Sequence, residues 1–495
     1  MEYTALFAPI DKTKFAITQL FLNQQSALLT TEHLVDLFEL TKYQLSTIYD
    51  NLNDDLWNAS GDLHATIDDS QKGVWRVKNV TSQVLQNLGI MYFERSPLRP
   101  VFEYRYLYSE VMSKADYISQ IGTATSSFYK DEKKLNHILT EEHFEEDAYT
   151  IADKEHTIRL HLFQFYYSIF NGTDESLGEL DEPIERLVHD ITSYYHVQLK
   201  PTQSDKLRVF LYIWIMRTKN DHHVYRAPIE TDSHINDINC LDDCIHEDLV
   251  GIIKPSQADT TYLYSFLIIQ NLLSQQPITL APRVKQPANK FTDQLINTVK
   301  LLALIDEHYD LAALRESILA INVQLMTFYI EPVTFIDNDQ ISFFQELYPT
   351  FDVIISAFIQ QLQNHLQQRL TANIATNLYY SYMFAFINHI PANQLKDQIT
   401  VCVDFSYGNL YSEYVTSNLV TFNNAHLVVT NNLNDDFDLY LSDFYSNDVT
   451  VPEVVWQNPP TPTDWSELAD LVITLKQNKV AALFRDRPDV NTGEV

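Results

Sequence analysis

Glycine is scarce in this sequence, which has 9 glycines in 495 residues, whereas globular proteins average about 7% glycine. A Walker-type phosphate loop needs two glycines, a lysine and a hydroxyl residue at fixed spacing, and no window of the chain has them. The dinucleotide-binding pattern G-x-G-x-x-G is also missing, because no two glycines lie two positions apart. These absences count against nucleotide enzymes of both kinds.

Cysteine and long apolar runs are scarce as well. The three cysteines, Cys240, Cys244 and Cys402, cannot build a disulfide framework, and their small number suits a reducing compartment. The most apolar run, residues 209–216, is much shorter than the roughly 18 residues that a membrane span requires. The first residues lack the basic-then-apolar order of a signal peptide. We therefore expect a cytoplasmic protein that has no membrane partner.

Basic residues are a minority, with 34 Lys and Arg against 66 Asp and Glu and a formal net charge of −32. Phosphate contacts supply most of the non-specific affinity for nucleic acids, so this balance counts against broad nucleic-acid binding. The charge is uneven, because residues 1–165 have 15 basic and 24 acidic residues whereas residues 166–495 have 19 and 42. Any contact with DNA must therefore come from a local patch.

The length and the apolar pattern predict a mainly α, multidomain protein. At 495 residues the chain is long enough for about three domains, and apolar spacing typical of helices recurs from residue 15 to residue 387. Alternating patterns predict two hairpins, at residues 63–77 and 147–158. Three predicted strands (398–404, 426–430 and 438–441), with a helix at 411–419 between the first two, indicate a small α/β unit with a parallel sheet.

Residues 27–52 have the pattern of a helix-turn-helix. Thr30 or Thr31 can cap a first helix, and Thr41 can cap a second helix that buries Leu45, Ile48 and Leu52. The first turn of such a second helix places its exposed side chains against base edges of DNA. Those side chains are Lys42, Tyr43, Gln44, Ser46 and Thr47. The alternative is an ordinary helical hairpin packed into an all-α domain.

Residues 112–136 repeat the pattern. Gly122 suits the turn, Thr123 or Thr125 can cap the next helix, and Phe128 and Leu135 point inward. The residues left outside are Thr125, Ser126, Ser127, Tyr129, Lys130, Lys133 and Lys134. The three lysines among them lie at positions where DNA phosphates would be. A solvated charge run is the alternative. Two such units in tandem, each followed by a predicted hairpin, favour DNA binding.

With these segments in order, the chain resembles the Mga/AtxA-type virulence regulators of Gram-positive bacteria. Further support comes from residues 153–163, which resemble the G-x-E-x-x-I-R-x-F junction of that family, from residues 205–217, and from the start of the α/β unit at Ile399. The resemblance implies two winged helix-turn-helix domains (1–78 and 79–165), two helical phosphotransferase-regulation domains, or PRDs (166–280 and 281–395), and an EIIB-like domain (396–485) that pairs two protomers. A polar tail (486–495) is predicted to be disordered.

The chain departs from the family at several positions. Asp153 replaces the usual glycine of the junction and His161 replaces its phenylalanine. Asp205 stands where one PRD has a histidine that accepts phosphate, and the acceptor of the other falls near Met383 and Phe384, which cannot accept it. The remaining candidates for regulatory phosphorylation are His222, His189 and His389, with His222 first because it follows a PRD helix in a polar loop. Each of them can equally be an ordinary histidine.

The loop after the first strand of the α/β unit, residues 405–411, lacks the nucleophilic cysteine of a true EIIB enzyme, and Cys402 lies earlier, inside the strand. We therefore expect no enzymatic activity and no cofactor. The sequence offers four metal-binding side chains close together, those of Cys240, Cys244, His234 and His246. A zinc site is disfavoured, because the spacing is not that of a standard finger and the acidic surroundings favour a solvated loop.

Together these features predict a DNA-binding transcriptional regulator, an activator, whose partners are double-stranded DNA, a second copy of the chain and phosphocarrier proteins of the sugar phosphotransferase system. With so little positive charge, we expect weak non-specific affinity and recognition through DNA shape as much as through base contacts. Three alternatives stay open: an interaction scaffold that does not bind DNA, an RNA-binding antiterminator with paired PRDs, and an enzyme.

Overall fold

The computed structural model describes most of the chain. The described residues are 2–23, 29–71, 73–146, 151–173, 178–273, 278–302, 305–331, 338–366, 370–391, 394–421, 427–433, 436–457 and 459–485. The tail predicted at 486–495 lies outside them. The chain divides into two compact units, Met1–Ala281 and Pro282–Val495. This division lies next to the boundary between residues 280 and 281 that the resemblance implies.

Both units are mainly helical, and helices occupy all the segments with helical apolar spacing. The helices of the first unit are α1 (Pro9–Asn23), α2 (Thr31–Leu37), α3 (Lys42–Ser60), α4 (Ser82–Glu94), α5 (Arg99–Glu103), α6 (Lys114–Gln120), α7 (Thr125–Glu141), α8 (Lys154–Phe170), α9 (Asp181–Tyr194), α10 (Pro201–Lys219), α11 (Ile235–Asp248) and α12 (Gln257–Ile269). A π-helical segment, Tyr104–Tyr108, follows α5 directly.

The first predicted hairpin is confirmed. Strands β2 (Thr66–Gln71) and β3 (Val74–Lys78) pair antiparallel, with Gly73 at a positive φ of 82° in the turn. A short strand before α2, β1 (Leu29–Thr30), adds to the other side of β3. The buried Trp75 side chain of β3 stacks on Phe21 and meets Tyr49 edge-on, so the hairpin packs against α1 and α3. Residues 29–78 are called the α2/α3 unit below.

The second predicted hairpin is wrong where the structure describes it. Its expected turn, Ala152 to Lys154, leads instead into α8, because the Asp153 carboxylate accepts hydrogen bonds from the backbone N–H groups of Glu155 and His156 and caps a helix. The same helix runs without interruption through residue 165, where the sequence suggested a boundary. Twelve of its side chains are buried, which makes α8 a central core helix of the first unit.

The second unit begins with a helical part and ends with a parallel sheet. Its helices are α13 (Pro282–Leu302), α14 (Ala312–Met326), α15 (Asn338–Leu347), α16 (Pro349–Leu366), α17 (Ala372–His389), α18 (Asn409–Thr421) and α19 (Pro462–Arg485), and its strands are β4 (Ile399–Asp404), β5 (Leu427–Thr430), β6 (Leu439–Ser442) and β7 (Glu453–Val455). The strand order is β5-β4-β6-β7, with all pairs parallel. The predicted small α/β unit is thus confirmed.

One face of β4 carries the apolar core of this sheet. Ile399, Val401 and Val403 are buried together with Val415 of α18 and with Leu468 and Val472 of α19. Both helices therefore contribute to the core of the sheet. The sequence did not predict α19 or β7; Trp456, which follows β7, packs against Trp465 in the first turn of α19.

Candidate nucleic-acid interface

The α2/α3 unit is built by two capped helices. The Thr30 hydroxyl accepts a hydrogen bond from the His33 N–H and starts α2, and Glu39, at a φ of 51°, closes the turn that follows. Thr41 and Gln44 form a reciprocal capping box that starts α3, with the Gln44 N–H donating to the Thr41 hydroxyl over 3.2 Å. The capping prediction for Thr41 is confirmed, and Thr30 rather than Thr31 caps α2.

The helix α3 buries its predicted residues and exposes its predicted reading face. Leu45, Ile48 and Leu52 are at most 4% exposed. The five candidate contact residues Lys42, Tyr43, Gln44, Ser46 and Thr47 are all exposed. Two of them are partly engaged, because the Gln44 amide oxygen accepts from the Thr41 N–H and the Thr47 hydroxyl donates to the Tyr43 carbonyl.

The charge around this face is unfavourable for DNA. Lys42 is the only lysine or arginine between residues 29 and 71. Five exposed carboxylates accompany it on α2, on α3 and in the turn: Glu32, Asp36, Glu39, Asp50 and Asp54. A surface that approaches DNA phosphates must neutralise them, so this unit has the shape of a reading element without the matching charge.

A second pair of helices, α6 and α7, is called the α6/α7 unit (residues 113–141). The Ser113 side chain caps α6, and Gly122 forms the turn at a φ of 68°. The predicted capping of α7 by Thr123 or Thr125 is wrong, because the helix begins at Thr125 and its cap position is Ala124, which has no side-chain acceptor. The inward positions are as predicted, with Phe128 at 2% and Leu135 at 0% exposure.

All seven candidate contact residues of α7 lie on its exposed side. They are Thr125, Ser126, Ser127, Tyr129, Lys130, Lys133 and Lys134. Lys134 pairs with Asp131 over 3.1 Å, whereas Lys130 and Lys133 form no ion pair with any residue that the structure describes. Beside them the Lys114 ammonium bonds Glu132 at 2.7 Å and lies 5.1 Å from the centre of the Tyr129 ring. Tyr129 is thereby held on the same face as the lysines.

Buried charges join the approach to α6 to the helices α8 and α10. The Arg217 guanidinium donates to the Tyr106 carbonyl at 2.6 Å and to both carboxylate oxygens of Glu155, at 2.8 and 2.5 Å. Asn220 accepts from the Glu110 N–H over 2.8 Å. The C-terminal end of α10 therefore holds the π-helical segment that precedes the α6/α7 unit.

The same cluster extends to α12. The Arg159 guanidinium donates to Glu155 at 3.0 Å and to Asp259 at 2.9 Å, and the His223 ring contacts Asp259 at 2.6 Å. Burial tends to raise the pKa of Asp259, but the charge of Arg159 and hydrogen bonds from Ser256 and His223 outweigh it and hold that pKa below its ordinary value. Glu155, Arg159 and Arg217 entered the sequence analysis only as parts of the segments that carry the resemblance, and none was assigned a role. The spacing of four between Glu155 and Arg159 was the available signal for their contact.

The three candidate phosphorylation sites differ in their surroundings. His222 is half-buried at the end of α10, and burial together with the charge of Arg217 lowers the pKa of its ring. His189 lies exposed on α9. His389, half-buried at the end of α17, has its Nε2 atom 2.7 Å from the Ser317 hydroxyl. His222 lines a cavity together with Arg217 and Arg226.

The cysteine segment is a helix rather than the predicted solvated loop. Cys240 and Cys244 lie one turn apart on α11, whose other face buries Ile238, Leu241 and Ile245. The Nε2 atom of His234 accepts a hydrogen bond from the Thr279 N–H over 3.0 Å, which engages one of the two nitrogens that could bind a metal. No group of three or more metal-ligating side chains occurs among the described residues.

The loop after β4 lies at the carboxyl edge of the parallel sheet. Ser406 hydrogen-bonds Asp443 of the loop after β6, both through its N–H and through its hydroxyl, and joins the two loops. Cys402 is fully buried in β4, as predicted. Large side chains are exposed around these loops: Tyr407, Leu410, Tyr414, Phe444 and Tyr445.

Comparison with known proteins adds no assignment. The chain matches none of the protein-family models, and no curated protein is similar to it. Within the part of the chain that the structure describes, no helix is long and apolar enough to cross a membrane. The functional conclusion therefore depends on the surfaces described above.

Proposed function

We propose that this protein is a DNA-binding transcriptional regulator whose main DNA contact is the exposed face of α7. The observation that carries the proposal is the combination of three lysines, three hydroxyl side chains and Tyr129 on one face of a helix that follows a short helix and a glycine turn. Lysines reach phosphates, and hydroxyl groups and tyrosine contact phosphates or base edges. This face carries three lysines in a chain whose net charge is −32.

The tandem arrangement supports the same function. The α2/α3 unit has a capped second helix and a hairpin beside it, the layout of a winged helix-turn-helix. The single lysine of α3, Lys42, suits a secondary contact that reads shape rather than one that supplies affinity. The resemblance to the Mga/AtxA-type regulators, in domain order and in the segments quoted above, points to the same function and to activation of transcription.

Pairing of two chains and control by the phosphotransferase system belong to the proposal. The exposed aromatic side chains at the carboxyl edge of the parallel sheet offer an apolar surface for a second copy. Among the histidines, His222 is the preferred site of phosphorylation, because burial and the charge of Arg217 lower the pKa of its ring and so favour the neutral form, whose ring nitrogen is the nucleophile. A phosphorylated His222 would place negative charge beside Arg217.

Fluorescence anisotropy with promoter-derived duplexes at several salt concentrations tests the DNA contact. We expect salt-sensitive binding that Lys130→Ala/Lys133→Ala/Lys134→Ala abolishes, because losing three phosphate contacts lowers the salt slope by up to about 2.7. Lys42→Ala should lower it by about 1 or less. The matched control, Lys285→Ala/Lys290→Ala/Lys300→Ala, changes the net charge equally on the exposed side of α13 and should leave binding intact.

Equal loss of binding in the control and in the α7 variant would contradict a specific α7 contact. No binding by the folded full chain at low salt would favour the second candidate, an interaction scaffold. That candidate is favoured by the acidic charge and by the exposed Tyr407, Leu410 and Tyr445 side chains, which suit protein partners.

A further inference from the structure

A cavity of about 550 Å³ lies where the start of α8 meets the residues that follow α10. Its wall includes Lys154, Glu155, Arg217, His222, Tyr225 and Arg226. This volume falls within the range of about 300–1,000 Å³ that is typical of small-molecule sites. Of these residues, only His222 was a candidate site residue in the sequence analysis, as a site of phosphorylation.

The carboxylates at the base of this cavity are already satisfied. Asp153 accepts four backbone hydrogen bonds, from Glu155 and His156 at one oxygen and from Tyr225 and Arg226 at the other, at 2.7–3.3 Å. Glu155 accepts from the guanidinium groups of Arg159 and Arg217. These groups have little capacity left to attract a cation, because their lone pairs face bound donors.

The hydrogen-bond donors around the rim, in contrast to these carboxylates, are still available to a ligand. The exposed Arg226 side chain forms no ion pair with any described residue, and the Tyr225 side chain is 84% exposed. The His222 ring accepts or donates no hydrogen bond among the residues described, although its backbone groups are bonded to Arg159 and Arg217. Lys154 reaches only Glu145, at 3.2 Å. The cavity thus combines satisfied acceptors with available donors.

We propose that this cavity binds a small organic phosphate. A guanidinium, an imidazole, a phenol hydroxyl and an ammonium from different parts of the rim suit the several oxygens of a tetrahedral phosphate better than the two coplanar oxygens of a carboxylate. The cavity is much larger than a single phosphate group, so the remaining volume holds the organic part. The exposed carboxylate of Asp221, which contacts the His223 ring at 3.3 Å, can accept hydrogen bonds from hydroxyl groups there.

The position of the site implies an effect on the α6/α7 unit. Arg217 lines the cavity, and its Nη1 atom donates a hydrogen bond to the Tyr106 carbonyl. A ligand that orders Arg217 and the end of α10 therefore also orders the segment leading to α6. This consequence rests on the proposed DNA-binding function, whereas the binding of the phosphate does not.

Isothermal titration calorimetry on the full chain tests the site with glucose 6-phosphate, phosphoenolpyruvate, inorganic phosphate and glucose. We expect at least one of the two organic phosphates to bind more tightly than inorganic phosphate, and glucose not to bind. Arg226→Ala and His222→Asn should each weaken binding about tenfold or more, because each removes a charge-assisted or polar hydrogen bond to the ligand. Arg186→Ala, which removes an exposed arginine from α9, should change nothing.

Two results would overturn the proposal: no binding of either organic phosphate, or binding that Arg226→Ala and His222→Asn leave unchanged. Intact-protein mass measurement after dialysis distinguishes a reversibly bound phosphate from a covalently attached phosphoryl group. A phosphoryl group that either organic phosphate transfers to His222 during the titration would show covalent modification in place of reversible binding and would also overturn it. Repeating the DNA anisotropy with the bound ligand then tests the coupling alone, so failure of DNA binding leaves the calorimetric result standing.

Discussion

The α2/α3 and α6/α7 units share a local design and differ in charge and in capping. In both, a short helix and a tight turn precede a longer helix that buries apolar residues seven apart, Leu45 and Leu52 in one and Phe128 and Leu135 in the other. Helix α3 has a full capping box and one lysine, whereas α7 has an alanine cap and three lysines. Backbone architecture and surface charge therefore vary independently between the two units.

The two units are also anchored differently. Around α3, Asp55 accepts from Lys14 at 2.8 Å, from Tyr92 at 2.9 Å and from Arg95, whose side chain remains 40% exposed. Beside the α6/α7 unit, Glu155, Arg159 and Arg217 are all nearly completely buried. Charges that keep contact with water can be rehydrated when a partner is lost, and fully buried charges cannot.

The largest expected effect separates these anchors. Glu155→Ala leaves two buried guanidinium groups without their shared carboxylate, which should cost about 3–5 kcal/mol of unfolding free energy. Asp55→Ala should cost less, because Arg95 keeps Asp11 and solvent as partners. Urea denaturation followed by circular dichroism measures both. Glu182→Ala, which removes an exposed carboxylate, is the control, and equal losses for Glu155→Ala and Asp55→Ala would refute the contrast.

As the pH falls, the stabilisation around His161 of α8 should be lost before that around Asp55 of α3. His161 of α8, whose Nδ1 atom lies 2.7 Å from the Phe144 carbonyl, has its pKa lowered by burial to about 4. Between about pH 6.5 and 4 the unfolded ring is protonated and the folded ring is not, so stability falls as the pH decreases through this range. Burial raises the pKa of Asp55, but its bonds to Arg95, Lys14 and Tyr92 lower it more, so its stabilisation is lost only below about pH 3.8.

Melting temperatures measured from pH 7 to pH 4 test this order. We expect His161→Phe, which introduces the residue that the resemblance calls for, to flatten the decline above pH 4. His33→Phe alters an exposed histidine on α2 and should retain the decline. An unchanged slope in His161→Phe would show that other groups cause the acid sensitivity.

The smallest expected effect comes from exchanging the caps. Thr41→Ala removes the capping box of α3 and should cost about 1 kcal/mol, whereas Ala124→Ser, at an extended backbone position, should stabilise α7 by a similar amount. Amide hydrogen exchange in the first turns of α3 and α7 measures both locally. Protection that moves in the same direction in both helices would contradict the assignment of the caps.

Much of the helical framework was predictable, because apolar spacing reports the buried face of a helix directly. The prediction of the second hairpin was wrong because Asp153, interpreted as a turn residue, can equally cap a helix. Only its hydrogen bonds from the backbone N–H groups of Glu155 and His156 distinguish the two roles. The segment around Cys240 failed for a related reason. Its acidic residues suggested a loop, but Ile238, Leu241 and Ile245 recur at helical spacing and bury one face of α11.

The sequence by itself determined most of the helices, the first hairpin, three strands of the parallel sheet and the exposed faces of α3 and α7, since each follows from the order of residues over a few turns. Only the tertiary structure decided which charges meet. Glu155, Arg217 and Asp259 lie far apart in the chain, and nothing local specifies that their side chains share one buried cluster. Such a cluster forms because packing of α8, α10 and α12 removes these charges from water, so that each must find its partners inside the protein.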